Sequence, residues 1–174
     1  GEFGNYIVSK KGKSCSLELD EQTTKIGGNM PIFAMALGSF GVNVNCIGAM
    51  GYPDVKNEFE PMLNNNCVLY SIEEPGYTTA LEFHDGKVMM AKMDSIANIT
   101  WESIKSKVGI AKLTDFFIQS RIIGIVNWSE VEHSSSIWEG IIRDIFPLHT
   151  PNKDQIVYFD LSDCSKRDQS EIRH

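Results

Sequence analysis

The chain has 174 residues, of which 42% are apolar, and it carries 16 basic against 23 acidic residues. This length and apolar content suit one domain with a sizeable core. The formal net charge of -7 argues against nucleic acid and anionic membrane as main partners, because both repel an acidic surface. No apolar stretch is long enough to span a bilayer and no signal peptide is recognisable, so we expect no membrane partner.

The four cysteines are scattered, without a C-x-x-C pair or the spacing of a metal site. Cys46 and Cys67 lie in apolar, strand-like runs, which predicts buried thiols. The histidines show no metal-ligand spacing either. We therefore expect no metal bound by this chain's own residues and a reduced, cytoplasmic setting.

The first predicted helix follows the stretch IGGNMPIFAMALGSFG, residues 26–41. Gly27 and Gly28 can adopt positive φ and let another group approach the backbone closely. Asn29 is a good N-cap, and Pro31 fits the first turn of a helix. These residues alone leave two interpretations open: a tight strand-to-helix turn, or a turn whose bare backbone faces a ligand.

From residue 26 onward, strand and helix patterns alternate. Asp85-Gly86, between TTALEF and KVMMAK, is typical of the tip of a β-hairpin. Apolar runs predict strands at 42–48, 67–72, 121–128 and 155–161, and apolar periodicity predicts helices at 54–63, 101–108, 111–119 and 136–146.

Such alternation predicts a parallel sheet covered by helices on both faces. Ligands of these sheets bind beyond the carboxyl ends of the strands. Three segments should meet there: Gly48–Pro53, Asn127-Trp128 and Asp160. The Gly27-Gly28-Asn29 turn precedes a helix and should open on the same edge, which favours the ligand-facing interpretation of that turn.

The stretch IGGNMPIFAMALGSFGVNVNCIGAMG, residues 26–51, resembles the first signature of the ribokinase family of carbohydrate kinases. That signature is a Gly-Gly-Asn turn, an alanine-rich helix ending in Leu-x-x-x-Gly, a strand, and Ile-Gly-x-x-Gly. The later order is similar too, with a threonine-containing hairpin and a Phe-Asp-Leu strand, so the likeness covers about residues 25–165. It implies an α/β fold with a ribokinase-like parallel sheet flanked by helices and a small β-hairpin lid.

The resemblance implies a kinase that uses ATP and Mg²⁺ to phosphorylate a hydroxymethyl group of a sugar, nucleoside or related small molecule. The alternative is a non-catalytic α/β module that binds a polyol or nucleoside. The family also suggests a homodimer paired through the lid hairpins. The residues that match its substrate side are Gly27, Gly28, Asn29, Asn127, Trp128 and Thr79, and those toward its phosphate side are Asp160 and Arg167.

The chain also departs from the family. Family members begin with a central strand that presents an aspartate, whereas the residues before Gly27 form a polar, hairpin-like segment. The family's second asparagine is replaced by Ile32, and its catalytic Gly-Ala-Gly-Asp turn has no counterpart in the 174 residues. We therefore expect a partial domain over residues 1–174, incomplete at both ends and inactive alone, with lid elements around 5–25 and 77–93.

Overall fold

The computed structural model describes residues 1–148 and 153–173. The helices are α1 (Glu2–Ser9), α2 (Asn29–Ser39), α3 (Glu60–Leu63), α4 (Trp101–Val108), α5 (Ile110–Gln119), α6 (Ser134–Asp144) and α7 (Gln169–Ile172). The strands are β1 (Val44–Ala49), β2 (Cys67–Glu73), β3 (Tyr77–Phe83), β4 (Gly86–Lys92), β5 (Ile122–Ile125) and β6 (Ile156–Phe159).

The strands form three pairs. β1 and β2 are parallel, in a register that begins at Val44 opposite Cys67. β5 and β6 are also parallel, with Ile122 opposite Ile156. β3 and β4 form an antiparallel hairpin that turns just before Gly86. The parallel strands and the separate hairpin predicted from the sequence are thus confirmed, and the fold is α/β.

The two parallel pairs are not hydrogen-bonded to each other. Among the described residues, β1 pairs only with β2, and β5 only with β6. A cavity of about 2280 Å³ runs along the whole of β1 and the whole of β5. The strand order is therefore β2-β1, a gap, and β5-β6, with the free edges of β1 and β5 facing the same space.

Both pairs nevertheless share the same helices. Ile47 of β1 and Ile125 of β5 pack against one core cluster, which contains Trp101 of α4 and Ile141 of α6. Cys46, the neighbour of Ile47, packs in a second cluster with residues of α2. Since successive strand residues point to opposite faces, α2 covers one face of the sheet and α4–α6 the other. The layers of a doubly wound α/β fold are thus in place.

Local sequence explains where the helices begin. Thr100 and Ser103 form a capping box at α4, each side-chain oxygen accepting from the other's backbone N–H. Pro61 lies in the first turn of α3 rather than in the middle of the predicted helix 54–63, so it costs no internal hydrogen bond.

The segment before Gly27 is not hairpin-like, which corrects the expectation for residues 5–25. The helix α1 covers its beginning, and residues 14–28 contain no helix or strand. The Phe3 ring of α1 lies 5.2 Å from the ring of Phe83 at the tip of the hairpin. The polar residues of this segment suggested a turn. The helix α1 instead packs its apolar Phe3 side chain against the hairpin. A lid role for 5–25 and 77–93 stays a prediction.

Two helical glycines provide a matched test of this packing. A Cβ at Gly38 in α2 would lie 1.7 Å from the backbone oxygen of Asn65, whereas one at Gly4 in α1 would meet nothing within 4 Å. Alanine gains roughly 1 kcal/mol of helix propensity over glycine, but overpacking against backbone costs about 1–3 kcal/mol. We expect urea unfolding to show that Gly38→Ala is destabilised and Gly4→Ala slightly stabilised. Equal effects of the two changes would contradict the close approach of α2 to Asn65.

Candidate functional site

The carboxylate of Asp160, directly after β6, joins three segments of the chain. It accepts a hydrogen bond from Asn29 Nδ2 at the start of α2, at 2.5 Å. It also accepts from the backbone N–H of Asn127, which follows β5, at 3.4 Å, and from that of Ser162 at 3.0 Å. The turn before α2 and the ends of β5 and β6 therefore meet at one place.

Three residues at this junction have positive φ. Gly28 has a φ of 87°, Asn127 of 67° and Ser162 of 56°. For residues with a side chain, this backbone region costs of the order of 1 kcal/mol or more unless other contacts compensate. Asn127 and Ser162 both donate their backbone N–H to Asp160, so the aspartate stabilises the two turns that require compensation.

The same contacts set the charge of the site. The hydrogen bond from Asn29 lowers the pKa of Asp160 below its ordinary value, and the N–H groups of Ser162 and Asn127 act in the same direction, while burial opposes them. Hydrogen bonds to a carboxylate favour its ionised form. Asp160 is thus an anion whose acceptor capacity is largely used by the protein itself.

Five of the eight predicted site residues line the large cavity: Gly27, Gly28, Asn29, Thr79 and Asn127. They come from the α2 turn, the hairpin and the end of β5, and they present backbone groups, amides and one hydroxyl. These are groups that recognise the hydroxyls of a polar small molecule. Trp128, Asp160 and Arg167 do not line the cavity.

Asn29 does not cap α2, contrary to the sequence prediction. The N-cap position is Gly28, which has no side chain, and no side-chain cap bond forms there. The Asn29 side chain instead reaches Asp160. The asparagine therefore joins the helix to the far sheet pair rather than closing its own first turn.

Trp128, which the resemblance placed on the substrate side, is a packing residue in this structure and does not line the cavity. Its side chain is only 5% exposed, its Nε1 donates to Ser135 Oγ, and its ring lies 6.3 Å from that of Trp138. The short sequence pattern Asn-Trp after a strand could not show which of the two side chains faces the cavity.

Arg167 does not offer its guanidinium to a phosphate, as the resemblance suggested. Its terminal nitrogens donate to the backbone carbonyls of Trp128, Val131 and Glu132, and one of them also pairs with Glu171. Within the described part of the chain its Nε is buried without a partner. The terminal N–H groups are occupied by protein atoms.

Ile32, where the family has a second asparagine, lies on another surface. Its side chain is 58% exposed and lines a shallow groove with Met35 and Ser39 rather than the large cavity. In this structure, residue 32 is therefore not part of the junction at Asp160.

Ser162 is the site residue that sequence analysis missed. Its N–H bonds to the Asp160 side chain two positions earlier, which is an Asx turn. The Asp-x-Ser pattern after a strand was the available signal. Among residues 1–148 and 153–173, no group of three His, Cys, Asp or Glu residues could hold a metal, and no helix there has the length and apolarity to cross a membrane.

The junction predicts that Asp160→Asn lowers the free energy of unfolding in a pH-dependent way. The substitution keeps the shape but removes the charge that accepts three hydrogen bonds, so we expect unfolding free energy to fall by about 1–2 kcal/mol at neutral pH. Because the folded pKa of Asp160 is lowered, its contribution is present above the ordinary value of 3.8 and is lost as pH falls through the folded pKa.

Urea unfolding at several pH values measures this difference, and Asp54→Asn, which removes an exposed carboxylate elsewhere, is the control. A deficit of Asp160→Asn that stays constant down to acidic pH would show that the Asp160 charge does not stabilise the junction.

Comparison with known proteins agrees with the likeness drawn from residues 26–51. The profile described as prokaryotic ketohexokinase matches residues 2–174. A curated ketohexokinase of Haloferax volcanii is 26% identical over 154 residues, which make up 88% of this chain and 40% of that protein. No solved structure matches the chain significantly. The chain thus spans less than half the length of the curated relative, and it belongs to the prokaryotic ketohexokinase family of ribokinase-like carbohydrate kinases.

Proposed function

We propose that the full-length protein transfers a phosphoryl group from ATP to a hydroxymethyl group of a ketohexose, and that this chain supplies the sugar-binding side. The observation that carries the proposal is the junction at Asp160, which brings Asn29 and Asn127 together beside Gly27 and Gly28 at the carboxyl ends of the strands. The curated relative from Haloferax volcanii is itself a ketohexokinase.

The sugar would lie on the bare backbone of the α2 turn. A Cβ at Gly27 would meet nothing within 4 Å, and one at Gly28 only Pro31 Cδ at 3.7 Å, so there is open space above both glycines. The first N–H groups of a helix have no partner within the helix, so those of the α2 turn can donate to sugar oxygens. The Asn29 amide is oriented by Asp160, which is the pre-organisation that a hydroxyl-binding site requires.

Neither of the two sets of residues that could hold Mg²⁺ or ATP phosphates is evident among the described residues and in the sequence. No acidic or histidine cluster of three is present among them, and the Arg167 guanidinium is held by backbone carbonyls. The sequence contains no Gly-x-Gly-Asp turn that would join a base to an anion hole. We propose that these functions belong to other residues of the full-length protein and that the 174 residues alone are inactive.

The absence of a Gly-x-Gly-Asp turn from these 174 residues also favours a second candidate function. This candidate is a non-catalytic module that binds a polyol or nucleoside. The two proposals differ in one result, which is whether ADP forms when the full-length protein is given ATP and a ketohexose.

We further propose a cytoplasmic location, supported by four free cysteines, of which Cys46 and Cys67 are buried as predicted. Burial and the neighbouring Cys67 raise the pKa of Cys46 to about 12, so it stays a thiol.

For association we propose a homodimer that pairs through the hairpins. Leu81 and Val88 are opposite each other in the register, and by strand alternation they share a face with Phe83 and Met90. Three of these four side chains are at least 40% exposed, so the face needs cover. Val88→Asp places a charge on this face and tests the pairing. Light scattering should show a dimer for the full-length wild-type protein and a monomer for Val88→Asp. A monomer for both proteins would contradict the pairing.

The sugar site predicts different effects of alanine at the two positive-φ glycines that flank α2. Gly28 has a φ of 87° and lines the cavity, whereas Gly41 has a φ of 80° and lies at the other end of the helix. Either substitution should cost about 1 kcal/mol of stability because of its backbone conformation. Only Gly28→Ala should also lower ketohexose affinity, by about tenfold or more, since its methyl group displaces a bound hydroxyl.

Calorimetric titration of the full-length protein with a panel of ketohexoses, other polyols and nucleosides measures this. Equal sugar affinity in Gly28→Ala and Gly41→Ala would show that the turn has no role beyond the fold. Absence of any sugar-dependent ADP formation by the wild type would contradict the kinase proposal.

A further inference from the structure

We propose that Arg167 is a positioning residue for the sugar site: it holds the turn of residues 127–132 so that Asn127 keeps its place at the cavity. This inference rests on the proposed function, since it assigns Asn127 to sugar binding. Arg167 itself does not line the cavity, and its effect would pass through the backbone of the turn.

Arg167 binds the turn at three carbonyl oxygens. Its two terminal nitrogens donate to the carbonyls of Trp128, Val131 and Glu132. A guanidinium has a planar fork of donors that can serve several acceptors at once, whereas a lysine ammonium is a point charge. One side chain can therefore fix the whole turn only if it is arginine.

The contact is largely shielded from water. The Arg167 side chain is 9% exposed, and its guanidinium carbon lies 5.1 Å from the centre of the buried Trp128 ring. Stacking on tryptophan and removal of water both strengthen such bonds. The neighbouring pair of Lys166 and Glu130 has side chains that are 51% and 31% exposed, so it contributes little.

The turn of residues 127–132 is held at two places. Asp160 holds it at Asn127, the proposed sugar-binding residue, and Arg167 holds its other side. Asn127 is held in a left-handed conformation by its N–H bond to Asp160, and its own carbonyl accepts from the N–H groups of Glu130 and Val131. Asn127, Glu130 and Val131 line the cavity. Arg167 attaches the far side of the same turn, so release of that side would let the cavity-lining backbone move.

The test uses the full-length protein and the steady-state kinetics of its reaction. Arg167→Lys should raise KM for the ketohexose by about tenfold while kcat and KM for ATP change little, because sugar placement is lost rather than chemistry. Lys166→Met, the adjacent cation, should leave all three constants within about twofold.

Asp144→Asn is the control for stability. Asp144 accepts from Trp101 Nε1 and Lys105 between α4 and α6, away from the 127–132 turn, so its loss should lower the melting temperature without raising the KM for sugar. A melting temperature of Arg167→Lys that falls while its KM for sugar stays at the wild-type value would overturn the proposal and leave Arg167 a structural residue.

Amide hydrogen exchange separates this proposal from the proposed function. Exchange across residues 128–132 should be faster in Arg167→Lys than in Asp144→Asn. If the wild-type protein turned over no ketohexose, the kinase proposal and with it the sugar role of Arg167 would fail. Unchanged exchange in Arg167→Lys would overturn the positioning role whatever the activity of the wild type.

Discussion

One carboxylate, that of Asp160, receives hydrogen bonds from a helix start, from a strand end and from its own turn. None of these segments is close to the others in sequence, since Asn29 and Asp160 are 131 positions apart. The bond at 2.5 Å joins α2 to the β5–β6 pair, and α2 in turn packs on β1, since Met30 and Ala34 lie in the same cluster as Cys46. The geometry of the candidate sugar site depends on this bond because it connects the two halves of the sheet.

The hydrogen bond between Asn29 and Asp160 matters because the β1–β2 and β5–β6 pairs are separated by a gap. Among the residues that the structure describes, β1 and β5 do not pair with each other, so no ladder of backbone hydrogen bonds crosses the space between them. What crosses it are helices: α2 on one face, and on the other the cluster that includes Trp101 and Ile141. The order β2-β1-gap-β5-β6 grows outward on both sides of the gap, as in a doubly wound sheet around its switch point, where such folds bind ligands. The cavity lined by Gly28 and Asn127 lies between β1 and β5.

Much of the fold could be predicted from the sequence because it follows local rules. Apolar runs located all four parallel strands, Asp85-Gly86 located the hairpin, and apolar periodicity located α4 at residues 101–108. The expectation that the α2 turn, Gly48–Pro53, Asn127 and Asp160 would converge came from the geometry of parallel strands. Hydrogen bonds join the α2 turn, Asn127 and Asp160, whereas of residues 48–53 only Gly48 and Ala49 line the cavity.

The individual roles could not be predicted, since they depend on contacts between distant residues. Whether Asn29 caps its helix or reaches Asp160, and whether Arg167 meets a phosphate or three carbonyls, is decided by tertiary packing. Trp128 and Asn127 are adjacent, yet the tryptophan is buried, while the asparagine, which has a φ of 67°, lines the cavity. The gap in the sheet was equally hidden, because a strand's sequence does not reveal which of its edges is paired.

We propose that the Asp160 junction forms the floor of a ketohexose site in the full-length protein. A crystal structure of the full-length protein with a bound ketohexose tests it most directly. We expect sugar hydroxyls within about 3.2 Å of the Gly28–Asn29 backbone or the Asn127 side chain, with Asn29 still donating to Asp160. A sugar bound elsewhere, or one that displaces Asn29 from Asp160 and takes the carboxylate as its own ligand, would contradict it.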